Sequence, residues 1–184
     1  MVGEKKPILF ATLGYPGSGK TYFSRKFAKE FHLLHLNSDR IRKAMFGKPK
    51  YNQYENNYLF AVMDALAQDA IMNDISVIYD ANSSRREYRI RMLQMVKKYD
   101  ALFFLLRFQT PEVVAKERLG TRKRCTRKVC QDYHPPVPVA VFERLRKEIE
   151  EPKKSEPHII IDGTMTYAQQ KKSVITRIAA LPSD

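Results

Sequence analysis

The sequence predicts an α/β fold: a parallel sheet covered by helices on both faces. Three observations carry that prediction. Short apolar runs alternate with helical segments along the chain, the order a parallel sheet requires. The run at residues 7–13 leads directly into Gly14-Tyr15-Pro16-Gly17-Ser18-Gly19-Lys20-Thr21, a glycine-rich turn before a helical segment. The totals also suit one globular domain spanning 1–184, with 184 residues, 43% hydrophobic and 29% charged, enough to bury a sizeable core.

The elements follow in order. Residues 21–31 read as the helix that leaves the glycine-rich turn, and 32–36 as a short apolar run ending at Asn37-Ser38-Asp39. Residues 41–46 suit a short helix stopped by Gly47 and Pro49. A long amphipathic helix is expected over 51–73, with Leu59, Val62, Met63, Leu66, Ala70 and Ile71 at helical spacing. Residues 75–79 form a buried strand ending at Asp80, and 85–98 a helix with Ile90, Leu93 and Val96 on one face. The most apolar strand is 101–108, after which Pro111 suits a first helical position. Residues 116–128 break the pattern with seven basic residues against one acidic. Pro135, Pro136 and Pro138 then link to a helix over 139–150, and a last strand at 158–161 precedes a helix over 167–181.

The pattern G-x-x-x-x-G-K-[ST] at 14–21 is a phosphate-binding loop, and the ligand's charge explains its residue types. Glycines let the backbone curl around phosphate oxygens, and the N–H groups of the curl and of the helix it opens cradle the anion. Gly14, Pro16, Gly17, Ser18, Gly19, Lys20 and Thr21 are therefore the nucleotide-contact candidates. Lys20 suits the outer phosphates, and the Thr21 hydroxyl suits a bound Mg²⁺.

Other residues point to what happens to that phosphate. Asp39 lies just past the second strand, at the carboxyl edge where ligands bind in such sheets. It suits either a general base for an attacking hydroxyl or an N-cap, and Ser38 could cap in its place. Arg42 falls one turn on, suited to an anionic acceptor or to an i,i+3 surface ion pair. Asp80 ends a strand on the phosphate loop's side, suited to hold Mg²⁺ through water or to cap the next helix; Asn82 is a weaker neighbour. Asp162-Gly163-Thr164, after the last strand, is expected near the nucleotide base.

Arg118, Arg122, Arg124 and Arg127 suit either a solvated charge run or, as a group, a lid over about 116–138 that neutralises charge spreading from the transferring phosphoryl group. Cys125, Cys130 and His134 supply only three zinc ligands in a positively charged setting, so they read as ordinary lid residues. Tyr51-Asn-Gln-Tyr-Glu-Asn-Asn-Tyr58 carries rings and amides that suit base contacts or a helix entry.

The balance of 33 basic and 20 acidic residues, a net charge of +13 and a pI near 9.8, favours polyanionic partners. No apolar stretch is long enough to span a bilayer, and the first residues lack a signal-like apolar core, so a cytoplasmic location is expected.

With these residues in place, the chain resembles the small AAA-type P-loop kinases that include the kinase domain of phage polynucleotide kinase; it is more distantly similar to zeta toxins. The resemblance is carried by residues 14–21, by Leu-Asn-Ser-Asp-Arg-Ile-Arg at 36–42, by Ile-Tyr-Asp-Ala-Asn at 78–82, and by the helix from Glu143 to Pro152. It implies a three-layer fold with sheet order 2-3-1-4-5, ATP and Mg²⁺ served by Lys20 and Thr21, and Asp39 as base. It also implies that Arg42 contacts a substrate phosphate and that Arg118 or Arg122 is the lid arginine. The expected activity is transfer of the γ-phosphate of ATP to a hydroxyl, most favourably the 5′-hydroxyl of RNA or DNA. The alternatives are a kinase of a small alcohol such as a sugar, nucleoside or antibiotic, and an NTP-dependent binding module without transfer.

Overall fold

The computed structural model describes residues 6–121 and 137–180. In chain order its elements are β1 (Ile8–Leu13), α1 (Lys20–Phe31), β2 (Leu34–Asn37), α2 (Ser38–Phe46), α3 (Gln53–Met72) and β3 (Val77–Asp80). There follow α4 (Arg86–Lys98), β4 (Leu102–Gln109), α5 (Glu112–Gly120), α6 (Val139–Lys147), β5 (His158–Asp162) and α7 (Tyr167–Ala179). All four strand pairings are parallel, in the order β2-β3-β1-β4-β5.

Alternation along the strands divides the core in two, because successive side chains of a strand point to opposite faces. Leu9, Ala11 and Leu13 of β1 join Val77, Tyr79, Phe103 and Leu105 on one face, packed against Leu59, Met63 and Ala67 of α3 and Met92 and Val96 of α4. Phe10, Ile78, Phe104, Leu106 and Phe108 point to the other face, against Phe23 and Phe27 of α1 and Val174 of α7. Phe10 meets Phe27 edge-on with centroids 5.4 Å apart, and Phe23 stacks on Phe27 at 5.1 Å. Aromatic pairs of this kind add roughly 0.5–1.5 kcal/mol each beyond the area they bury. The result is a three-layer sandwich, and every strand delivers its C-terminal end to the same edge.

Several boundaries differ from those read in the sequence. Helix α2 starts at Ser38, and Asn37 is its N-cap: the Asn37 side-chain oxygen accepts from the Arg40 N–H at 2.9 Å. Asp39 and Ser38 therefore lie inside the first turn and neither caps. Pro111 is the residue before α5 rather than its first, with ψ at 138°. Helix α6 ends at Lys147 instead of continuing to 150, because the chain turns back so that the Glu150 N–H bonds to the Ser84 carbonyl.

Two helical faces also shift. Of the α3 residues at helical spacing, Val62 and Leu66 point outward while Leu59, Met63, Ala70 and Ile71 are buried. On α4 the buried row is Arg89, Met92 and Val96. Arg89 is accommodated because its guanidinium donates to the Ser83 and Ser84 carbonyls and to Glu156, satisfying most of a charge that would otherwise be costly to bury.

Candidate active site

The phosphate loop leaves β1 at Gly14 and enters α1 at Lys20, with a turn closed by the Ser18 N–H donating to the Tyr15 carbonyl. Two glycines are dictated by this geometry. Gly17 has φ 84°, and a Cβ on it would collide with the Ala115 carbonyl of α5. A Cβ on Gly163, just past β5, would meet the Thr110 hydroxyl and the Ser18 carbonyl. Thr110, just past β4, donates to that same Ser18 carbonyl at 3.0 Å. The ends of β4 and β5 thus clamp the back of the loop. Nothing in the sequence pattern singles out Thr110, since its partner is 92 residues away.

Lys20 crosses the loop's mouth, its Nζ donating to the Gly14 carbonyl at 2.5 Å and the Tyr15 carbonyl at 3.0 Å. Tyr15 itself packs edge-on against Phe142 of α6, centroids 5.4 Å apart. Burial, followed by the nearby Glu112 carboxylate, pushes its hydroxyl pKa up. Pro16 lies in the same turn, half-buried.

Beside the loop stands Asp80, the last residue of β3, almost fully buried. The Thr21 hydroxyl donates to its Oδ1 at 3.2 Å, and the Asn37 amide donates to its Oδ2 at 2.7 Å. His35 Nε2 sits 3.0 Å from the same Oδ2. Register explains the second contact, because Asn37 and Asp80 are paired residues at the ends of adjacent parallel strands. Thr12 stitches the next segment in place: its hydroxyl donates to the Ala81 carbonyl at 2.8 Å, and its own carbonyl accepts from the Ser83 N–H. Beyond it the Asn82 amide is buried, and neither of its side-chain polar atoms has a partner among the described residues.

The structure thus brings Thr21 and Asp80 together, and Asn37 ties them to α2, which carries Asp39 in its first turn. Asp39 is half-buried. His35 and Asn37 were not singled out in the sequence. Alternate positions of one short strand point to one side, so the two-residue spacing of His35 and Asn37 in β2 was a usable signal once the edge was known.

Arg42 departs from the surface ion pair considered for it. It is buried, with Nη1 3.4 Å from Glu55 Oε2, Nη2 donating to Asn56 Oδ1 at 2.6 Å, and its guanidinium 4.9 Å from the Tyr51 ring centre. Glu55 in turn accepts from the Lys50 and Tyr51 N–H groups, both at 2.8 Å. Burial alone would raise the Glu55 carboxyl pKa, but those two N–H groups and Arg42 outweigh it and hold the group below the usual range.

Of the lid arginines, Arg118 reaches the loop, its Nη1 3.5 Å from the Gly17 carbonyl. Arg122, Arg124 and Arg127 lie outside the described residues, as do Cys125, Cys130 and His134 and most of the expected lid. Asp162 turns back on Thr164, whose hydroxyl and then N–H hold its carboxyl pKa down. Among the described residues no helix is long and apolar enough to cross a membrane.

Comparison with known proteins agrees with this architecture. No curated protein matches the sequence. Kti12 of Chaetomium thermophilum in complex with ADP-AlF3 is 18% identical, with a TM-score of 0.70 over 95% of this chain and 100% of that one. A sugar kinase from Janibacter sp. HTCC2649 is 16% identical, with a TM-score of 0.67 over 97% and 96%. A chain of the Pnkp1/Rnl/Hen1 RNA repair complex is 23% identical, with a TM-score of 0.65 over 80% of this chain and 45% of that one. At these identities the likeness is one of fold. Residues 9–152 match the family described as an AAA domain, a span running from β1 past α6, and the chain belongs to that family, with a kinase-like P-loop fold.

Proposed function

We propose that this protein is an ATP-dependent kinase that transfers the γ-phosphate to a hydroxyl, with the 5′-hydroxyl of an RNA or DNA strand as acceptor. One observation carries the transfer reading: the hydrogen-bonded chain from Thr21 through Asp80 to Asn37, which couples the phosphate loop to the helix bearing Asp39. Thr21 and Asp80 would serve any nucleotide-binding P-loop module; the Asp39 carboxylate on that helix is what a transfer reaction adds.

In this reading Asp39 accepts the proton of the acceptor hydroxyl. The freed oxygen attacks the γ-phosphorus in line, the bond from that phosphorus to the β,γ-bridging oxygen breaks, and ADP leaves. Lys20 exchanges its loop carbonyls for phosphate oxygens, and Arg118, already at the loop, adds positive charge where negative charge develops. Thr21 and Asp80 form an all-oxygen donor pair that fits Mg²⁺, which would neutralise charge on the outer phosphates. Arg42, engaged by Glu55 and Asn56, positions α2 against α3 and so orients Asp39. The net charge of +13 supports a polyanionic acceptor over a sugar or other small alcohol.

Labelled ATP offered side by side to 5′-hydroxyl RNA, 5′-hydroxyl DNA and a pool of small alcohols tests the assignment. Label on an oligonucleotide is the expected result; label only on a small alcohol overturns the acceptor. Asp39→Asn is expected to lower transfer by roughly 10²–10⁴ while keeping ATP affinity. Undiminished transfer removes Asp39 as the base.

A further inference from the structure

The corner between α2 and α3 carries a feature that the transfer chemistry does not use. Tyr54 and Tyr58, one turn apart on α3, are 64% and 51% exposed, with ring centroids 4.6 Å apart. Large rings this exposed, side by side, leave half or more of their surface outside the protein's own core. Tyr51, 42% exposed, stands at their base against the Arg42 guanidinium. Val62 and Leu66 continue the same outward row one and two turns further along.

The location matters. In a parallel sheet the helix leading into a strand starts at the opposite edge, so the N-terminus of α3 lies at the carboxyl edge where Asp39 and Asp80 stand. The Arg42 bonds to Glu55 and Asn56 fasten it there. Charge selects the occupant. Residues 40–58 hold Arg40, Arg42, Lys43, Lys48 and Lys50 against a single acidic residue, Glu55. Glu55 is buried and bonded to Arg42 and to two backbone N–H groups, so it does not oppose an incoming anion. Exposed rings interleaved with cations suit a single-stranded nucleic acid, whose bases stack while its phosphates meet the lysines. An apolar protein partner has no use for the lysines.

We infer that Tyr54 and Tyr58 form a stacking platform for the first bases of the acceptor strand behind its 5′-hydroxyl, with Lys43, Lys48 and Lys50 along the backbone. The platform rests on the nucleic-acid reading of the acceptor. It makes recognition sequence-tolerant, since every base offers a π-face.

The test compares the wild type, Tyr54→Ala/Tyr58→Ala and Tyr54→Phe/Tyr58→Phe. Each is measured for binding of a fluorescent 5′-hydroxyl single strand without ATP, and for kcat and KM with strand and with ATP. Both rings lie on the surface, so all three proteins are expected to fold alike. Stacking lost at one or two bases weakens strand binding about tenfold or more. The alanine pair is therefore expected to raise the Kd and KM for the strand by that factor, with the KM for ATP unmoved, and the phenylalanine pair to stay near wild type.

Strand phosphorylation with equal Kd and KM in the wild type and the alanine pair overturns the platform and leaves the kinase reading standing. So does a phenylalanine pair as weak as the alanine pair, because the hydroxyls would then be responsible. If sedimentation shows that the wild type self-associates through this face, and the alanine pair loses only that, the row is a contact between copies and the platform is overturned. Failure of the wild type to phosphorylate any strand, with transfer to a small alcohol, overturns the acceptor assignment and the platform together.

Discussion

Asn37 uses one side-chain amide twice: its oxygen caps α2, and its nitrogen donates to the buried Asp80 carboxylate. The two roles can be separated by substitution. Asn37→Ala removes both, losing about 1 kcal/mol for the cap and on the order of 1–3 kcal/mol for a buried carboxylate deprived of a donor. At roughly 2–4 °C per kcal/mol for a chain of this size, thermal melting should fall by roughly 4–16 °C. Asn37→Asp keeps an oxygen to cap the helix but sets a like charge against Asp80. It should lose transfer more steeply than the cap contribution explains, measured as kcat against melting temperature. An Asn37→Asp protein with wild-type kcat would show that the bond to Asp80 is dispensable. Asn37 also illustrates what the sequence leaves unread: asparagine before Ser-Asp is a routine helix entry, and only the strand register puts it opposite Asp80.

Helices α2 and α3 are joined through Glu55, which receives Arg42 and the Lys50 and Tyr51 N–H groups in one buried carboxylate. Its pKa is held below the ordinary value of about 4.3. A depressed acid stabilises the fold fully above its unfolded pKa, and that contribution is lost as pH falls through the lower folded value. The wild type should therefore lose stability more steeply below about pH 4.3 than Glu55→Gln does. Acid titration of unfolding free energy for both proteins checks this, and parallel curves would remove Glu55 as the responsible group. The neutral variant also leaves Arg42 with an uncompensated charge at neutral pH, so it should start from a lower stability. At this scale the sequence was legible in part. The apolar spacing of α3 locates the helix, yet it does not distinguish the buried Met63 from the outward Val62 and Leu66, since a helix apolar most of the way round has no sharply marked face.

Across the whole molecule the excess of 13 positive charges predicts a salt-sensitive grip on a nucleic-acid strand. Each phosphate neutralised on a single strand steepens the fall of log K with log salt by about 0.7. Oligonucleotide affinity titrated from low to high salt should follow a clear negative slope; a flat titration would show that phosphates are not gripped. The layered fold was legible because its signals are local: alternating apolar runs, a glycine-rich loop between strand and helix, and acidic residues at strand ends. The sheet order 2-3-1-4-5 was implied by family resemblance, and the strand pairings bear it out. The sequence by itself determined the phosphate loop, the strand–helix alternation and the basic surface, because each depends on residues adjacent in the chain or on a simple sum of charges. Tertiary structure alone decided that Asp80 meets Thr21 and Asn37, that Thr110 and Gly163 brace Ser18, and that Arg42 is buried against Glu55. These contacts join residues at least 13 positions apart, and such pairings are set by how strands align and helices pack, which no local pattern encodes.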